Sequence, residues 1–307
     1  MAEAQTYFKI AISGDLGSGK STICKFLQEK LLFNRYSMGE AWRTLAAKYK
    51  MTILELNKYS ESHSLDEEMD QVMATMAGIP QNIIFDARLA WHFIPNSFKI
   101  HLTVNPLIAA ARIFNDKRGE AEGYTDVTET YEKVKQRKIS ENNRYIQKYG
   151  LDCSQYRNYD LIVDTSHAPP ESIAALIIAK FNTWTKVQAF AGHWLSPRTP
   201  FPTWNIRQLD QEQIQLILRS MAIDGFKENY PISLCMVDDF YYIYDGHNRT
   251  SAALLNESYL IPINIIAKTS EKLPNGEFAA DYIVKLHNQS NIHAWEDLHH
   301  FRFPQYP

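Results

Sequence analysis

The chain has 307 residues, 45% of them hydrophobic, enough for two domains of ordinary size with apolar cores. Its 32 basic and 35 acidic residues leave a net charge of −3, which argues against a protein held on nucleic acid by bulk charge, although a local basic groove stays open. Three separated cysteines, Cys24, Cys153 and Cys235, form no CxxC pair and point to neither a zinc knuckle nor a disulfide framework, in keeping with a reducing cytoplasm.

The chain starts MAEAQTYFKIAISG, without the basic opening of a leader peptide, and no later stretch approaches the roughly 20 apolar residues of a membrane helix. A cytoplasmic protein without a membrane partner is expected. Phe8 to Ser13 predicts a short buried strand bounded by Gly14, and Lys20 to Leu32 the helix after it. Ile83 to Asp86, Lys99 to Val104 and Leu161 to Asp164 predict three more strands, separated by helical, charged stretches such as Val127 to Tyr149. Strands alternating with helices imply an α/β domain, a parallel sheet with helices on both faces. A helix from Pro170 to about Trp184 closes it, so the first domain is expected over residues 1–182. Residues 191–205, AGHWLSPRTPFPTWN, hold three prolines and no regular period, and a linker is expected over 183–203. Beyond it, Leu209 to Met221 predicts a helix. Ile232 to Val237 and Phe240 to Tyr244 predict two strands about an Asp-Asp turn. Thr250 to Asn256 predicts a short helix and Ile261 to Ile266 a strand. These make a smaller α+β domain over 204–270. Residues 271–307 are polar and aromatic with few clear signals and are expected to be a tail.

Gly14-Asp15-Leu16-Gly17-Ser18-Gly19-Lys20-Ser21 satisfies GxxxxGK[ST] between a predicted strand and a predicted helix. In such a loop Gly14, Gly17 and Gly19 let the backbone curl, so that its N–H groups, with Ser18 and Thr22 alongside, point at the phosphates of ATP. Lys20 can bridge the outer phosphates, and Ser21 can ligate Mg2+. The loop alone does not separate kinases from GTPases, helicases or transporters. The remainder of the domain points to a kinase: it is small, it shows no separate apolar run ending in Asp-Glu, and its arginines are distributed at Arg43, Arg88, Arg112, Arg118, Arg137 and Arg144. Transfer between two anionic substrates needs such guanidinium forks to neutralise and align each phosphate.

Residues 8–180 resemble the short cytidylate kinases, the compact type of archaea and some bacteria. ISGDLGSGKST is similar to that family's P-loop, and Tyr36 to Arg43, YSMGEAWR, to its SAGExFR segment. Ile84 to Trp91, IFDARLAW, is similar to its xEGRLAGW strand end. Arg137 to Asp152, RKISENNRYIQKYGLD, is similar to its lid helix, and Tyr159 to Ser166 to its last strand. The resemblance implies that Ser37, Gly39, Arg43 and Arg88 surround the acceptor phosphate and that Asp86 holds magnesium through water. It also implies that Arg137 and Arg144, two helical turns apart, close as a lid, with Arg112 and Arg118 as further lid candidates. The sequence departs from the family at Ala87, at His92 directly after Trp91, and at Ala109-Ala110-Ala111-Arg112, where one arginine stands in place of two. These changes leave the acceptor open.

Asp245-Gly246-His247-Asn248-Arg249 is a second turn at a helix start. Gly246 permits the turn, Arg249 adds a fork, and Asp245 and His247 have the chemistry of metal ligands or acid and base. A structural turn braced by an Asp–Arg pair explains the same residues equally well. Residues 204–268 resemble the ParB/sulfiredoxin-like fold, whose DGxHR segment is similar to Asp245 to Arg249. The resemblance implies a second phosphate site at Asp245, Gly246, His247 and Arg249, and disfavours sulfiredoxin activity because no cysteine lies in the turn.

Three functions follow as expectations. The first is an ATP- and Mg2+-dependent kinase for a small acceptor, foremost a nucleoside monophosphate such as CMP or dCMP. The second is a kinase for a hydroxyl on a nucleoside, free serine or a hydroxymethylated base, the one reading with a nucleic-acid partner. The third is a nucleotide-sensing switch without turnover.

Overall fold

The apolar run near the amino terminus forms β1 (Lys9–Gly14), buried at every position, as a central strand covered on both faces of a parallel sheet must be. The computed structural model describes residues 6–52, 55–56, 59–60, 65–116, 125–187 and 190–304. They form two units, Met1–Val163 with Pro170–Ala191, and Asp164–Pro169 with Gly192–Pro307.

In the first unit β2 (Asn34–Ser37), β3 (Ile83–Asp86), β4 (Phe98–Thr103) and β5 (Leu161–Asp164) join β1 in the order β2-β3-β1-β4-β5. β1 runs parallel to β3 and β4, and β2 parallel to β3. β3 and β4 flank β1 on opposite sides, the topological switch at which α/β sheets open a crevice beyond their strands' carboxyl ends. Around the sheet lie α1 (Lys20–Leu31), α2 (Met38–Tyr49), α3 (Leu65–Ala77), the single turn α4 (Ala90–Phe93), α5 (Pro106–Asn115), α6 (Val127–Tyr149) and α7 (Pro170–Val187). Side chains fix where they begin. Ser37 accepts from Glu40 N at α2, Asn105 accepts from Leu107 N ahead of Pro106 at α5, and Asp126 accepts from Glu129 N at α6. α6 ends where Gly150 takes the left-handed conformation. Beyond Gly150, Asp152 accepts from Asn142, Ser154 and Gln155, which fastens the next loop to α6.

The second unit is α+β. β6 (Gly192–Leu195), β7 (Ile232–Val237), β8 (Phe240–Asp245) and β9 (Ile261–Lys268) lie in the order β6-β9-β7-β8. β7 is antiparallel to β8 but parallel to β9. Asp238 and Asp239 both have positive φ, 50° and 68°, the backbone of a two-residue hairpin turn with the twist of its strands. α8 (Gln211–Asp224), α9 (His247–Leu255), α10 (Ala279–Leu286) and α11 (Gln289–His299) pack on this sheet.

Two expectations are corrected. The segment expected as a linker, 183–203, holds the end of α7 and strand β6, whose His193, Trp194 and Leu195 pair with Ile263, Pro262 and Ile261. Four residues are too short for a readable period, and only the partner strand makes them β. The segment expected as a tail, 271–307, supplies α10 and α11. Trp295 of α11 is fully buried in the unit's core, and the Glu296 carboxylate beside it, also fully buried, accepts from Phe303 N at 2.7 Å and contacts His293 Nδ1 at 3.0 Å. A helix that buries only Ile292, Trp295 and Glu296 shows little periodicity in sequence. Trp295→Ala should cost about 3–5 kcal/mol, the range for emptying a large aromatic site, read as a lower melting temperature of the full chain; an unchanged melt would mean that the segment is dispensable to the core.

Candidate active site

The P-loop leaves β1 at Gly14 and enters α1 at Lys20. Gly17 has φ 74°, and a Cβ there would sit 2.8 Å from Ala109 Cα, so α5 closes against the loop and only glycine fits. α1 begins without a side-chain cap on Gly19, so its first N–H groups and the positive end of its dipole face the loop, the arrangement that receives phosphate. Ser18 Oγ is buried in the loop without a protein partner. Thr22 sits one residue further into α1, on its exposed side.

One carboxylate organises this region. Asp86 ends β3, 4% exposed, in register with Ser37 at the end of β2 and with Ile12 in β1. Its Oδ1 faces Lys20 Nζ at 3.5 Å. Its Oδ2 accepts from Ser21 Oγ at 3.3 Å, Ser37 Oγ at 3.3 Å and Arg35 Nη1 at 3.4 Å. Arg35 also pairs with Glu40 at the start of α2. Ser21 and Asp86 together offer hard oxygen donors beside the cradle, a donor set that suits Mg2+.

Two more carboxylates hold the cations of α6. Asp15, inside the P-loop, pairs with Lys138 Nζ at 2.9 Å, with His101 Nε2 4.0 Å away. Glu141 pairs with Arg88, which follows β3, and accepts from Arg137 Nε at 2.9 Å. Burial lowers the Arg88 pKa and pushes His101 down to about 4. His101 is therefore a neutral ring, packed on Tyr159 at 4.6 Å.

The structure thus brings Lys20, Ser21, Ser37 and Asp86 together, and separately Arg88 and Arg137. Arg43 is exposed on α2, its Nη1 3.5 Å from where a Cβ on Gly39 would sit. Arg144 lines a groove of about 500 Å³ along α6 with Gln136, Ile139, Ser140, Asn143 and Gln147, its guanidinium over the Tyr145 ring. Arg112, a lid candidate, contacts the P-loop, donating to Gly17 O at 3.3 Å. The α5 face that presses on Gly17 carries it there. Arg118 lies outside the described residues. Sequence reasoning gave no role to Arg35, Asp15, Lys138 or Glu141. Asp15 and Glu141 stand inside motifs already singled out, but their ion-pair partners are 123 and 53 residues away in Lys138 and Arg88, and no local pattern shows that.

The Asp245–Arg249 turn carries the Asp–Arg pair of the structural alternative. Gly246 has φ 106° and packs so closely that a Cβ would reach Ile232 Cδ1 at 2.7 Å. Arg249 donates to Tyr230 O at 2.8 Å, to Pro231 O at 3.0 Å and to Asp245 Oδ2 at 2.5 Å. His247, expected at a phosphate, is the first residue of α9 and 1% exposed. Its Nε2 accepts from Thr203 N at 3.1 Å and Trp204 N at 3.2 Å, and its ring stacks on Trp204 at 4.4 Å. Burial pushes its pKa down to about 3, which removes it as an acid or base near neutral pH.

A P-loop on the central strand, a buried carboxylate beside it and a lysine of α6 paired with the loop define an ATP-dependent P-loop phosphotransferase. Comparison with known proteins refines the class. A family model described as an AAA domain matches residues 10–137. A cytidylate kinase of Archaeoglobus fulgidus is 32% identical over 172 residues, which cover 55% of this chain and 92% of that one. The chain belongs to the cytidylate kinase family. An S-adenosylmethionine-dependent nucleotide dehydratase of Lacinutrix mariniflava is 31% identical over 238 residues, 72% of this chain. The chain spans about half, 49%, of that relative's length. A sulfiredoxin from Arabidopsis thaliana superposes with a TM-score of 0.22 at 23% identity, over 24% of this chain and 80% of that one. No helix among the described residues is long and apolar enough to cross a membrane.

Because His101 and His247 stay neutral in the folded state, the unfolded chain binds protons below the ordinary value of 6.5 that the folded chain refuses until about 4 and about 3. Stability should fall as pH drops from about 6.5 toward 4. His247→Asn, less stable at neutral pH, should show a shallower loss across that window in urea titrations; an equally steep loss would remove His247 as a source.

Proposed function

We propose that the first unit transfers the γ-phosphoryl group of ATP to a nucleoside monophosphate of the CMP or dCMP kind. The observation that carries this reading is the Asp86 carboxylate, on which the P-loop residues Lys20 and Ser21 meet Arg35 and Ser37 of the neighbouring strand. The donor cradle and the expected acceptor side are thereby joined at one point. ATP lies with its outer phosphates on the P-loop N–H groups and Lys20. Ser21 directly, and Asp86 through water, would hold Mg2+, which would supply neutralisation of the phosphate charge. Arg43 and Arg88 hold the acceptor phosphate, Arg88 on the side where it meets the transferring group as well, and Arg137 and Arg144 close on that group. An oxygen of the acceptor phosphate attacks the γ-phosphorus, the bond to the β–γ bridging oxygen breaks, and ADP leaves. That oxygen is already anionic near neutral pH, so no general base is required. The choice of base follows the cytidylate kinase relatives. The name of the dehydratase relative also gives a nucleotide as what that protein acts on, and its match covers more residues than the first unit contains.

A panel of CMP, dCMP, UMP, free serine and hydroxymethylated DNA with ATP and Mg2+ tests the acceptor. Turnover of CMP or dCMP is expected, falling at least about 100-fold in Lys20→Ala with folding intact, because that change removes charge stabilisation in the transition state. Turnover restricted to a hydroxyl acceptor would overturn the monophosphate reading, and near-normal turnover in Lys20→Ala would overturn the placement of the loop.

In the second unit we assign the Asp245–Arg249 turn a bracing role in place of the expected phosphate site. The support is that Arg249 donors are engaged by Tyr230, Pro231 and Asp245, and that the His247 ring is turned inward. Arg249→Ala should lower stability by about 1–3 kcal/mol and leave ATP and CTP binding by the full chain unchanged. A loss of nucleotide affinity without loss of stability would restore the phosphate site.

A further inference from the structure

We infer that Glu141 is the positioning residue that aims the guanidinium groups of Arg88 and Arg137 at the transferring phosphoryl group. The inference rests on the phosphotransferase reading of the first unit and deepens it. Glu141 lies in the middle of α6, its side chain only 19% exposed, and its two oxygens face two arginines from different elements. Oε2 pairs with Nη1 of Arg88, just past the end of β3. Oε1 accepts from Nε of Arg137, one helical turn earlier on α6.

Three features set this apart from an ordinary surface ion pair. The Arg137 bond runs through Nε. A guanidinium held at Nε has its plane and its last torsion fixed, which aims its Nη edge as a bidentate fork for a phosphate. The helical order, arginine four residues before glutamate, is the less favourable one for an isolated helix, so helix stability gives little reason for the pair. Third, the same carboxylate spans from α6 to Arg88, which follows by two residues in the chain the Asp86 on which Lys20 and Ser21 converge. Burial already disfavours the charge on Arg88, and a carboxylate beside it offsets that cost while keeping two cations close enough to share one phosphoryl group. In chemical terms Glu141 makes no contact with the reacting atoms. It holds two like charges in place before the phosphoryl group arrives, so that less reorganisation remains for the transfer step.

The test uses the full chain and a probe that does not depend on the acceptor. ADP with Mg2+ and aluminium fluoride mimics the phosphoryl group in flight, whereas ADP alone does not engage the arginines that grip it. In the wild-type chain, fluoride should tighten ADP binding by about 10- to 150-fold, the range for one or more charge-assisted contacts. Glu141→Gln keeps the shape of the side chain but offers one acceptor oxygen and turns an N–H2 group toward an arginine. It should leave the affinity for ADP alone within about twofold, which also reports that the chain is folded, and lose most of the tightening. Glu141→Ala should behave the same way. In the Glu141→Gln background, Arg137→Ala should cost little further tightening, because the two residues act as one unit. Equal tightening in wild type and Glu141→Gln, no tightening in wild type, or independent losses in the double variant would each overturn the inference. Absence of CMP turnover with tightening intact would instead fail the proposed acceptor and leave the role of Glu141 standing.

Discussion

The first unit depends on a buried anion, the Asp86 carboxylate, at the point where three strands end. An isolated charge at 4% exposure is strongly unfavourable. It persists because Lys20, Arg35, Ser21 and Ser37 all turn toward it. Each of those partners is fixed elsewhere: Lys20 and Ser21 by the first turn of α1, Arg35 and Ser37 by the pairing of β2 with β3. Strand register, helix start and charge balance therefore enforce one another: a one-residue shift of β3 would turn the carboxylate to the other face, and one of β2 would turn Arg35 and Ser37 away from it.

The same logic extends outward through Asp15 and Glu141. Catalysis of phosphoryl transfer needs several cations around one small volume, and like charges so placed repel. Four of the cations are matched with carboxylates: Lys20 with Asp86, Lys138 with Asp15, Arg88 and Arg137 with Glu141. On the phosphotransfer proposed for this unit, these positive groups are held in place before a phosphate arrives.

The second unit uses similar residue types to a different end. Gly246, His247 and Arg249 make a turn at a helix start, which in a nucleotide-binding loop would face a phosphate. Here Ile232 packs where a Cβ on Gly246 would sit, two backbone carbonyls receive Arg249, and two backbone N–H groups donate to His247. In the bracing role proposed for this turn, the same chemistry is structural, its donors and acceptors satisfied from within.

The parallel strands, the P-loop and α6 are legible in the chain alone. Their signals are local: apolar runs such as Ile83 to Asp86, glycines at fixed spacing before Lys20, and a capped helical stretch from Val127 to Gly150. It also placed Asp86, Arg88 and Arg137 among the residues to watch, through a resemblance carried by contiguous segments. Which of these meet follows from packing in three dimensions. Strand β6, the burial of Trp295, the pairing of Asp15 with Lys138 and of Glu141 with Arg88, the contact of Arg112 with Gly17 and the inward turn of His247 all join residues far apart in the chain. A charged side chain in a sequence reads the same whether it will face solvent, a phosphate or another side chain. Its role is settled by what the fold brings within about 3–4 Å of it, and that is a property of packing rather than of any local pattern.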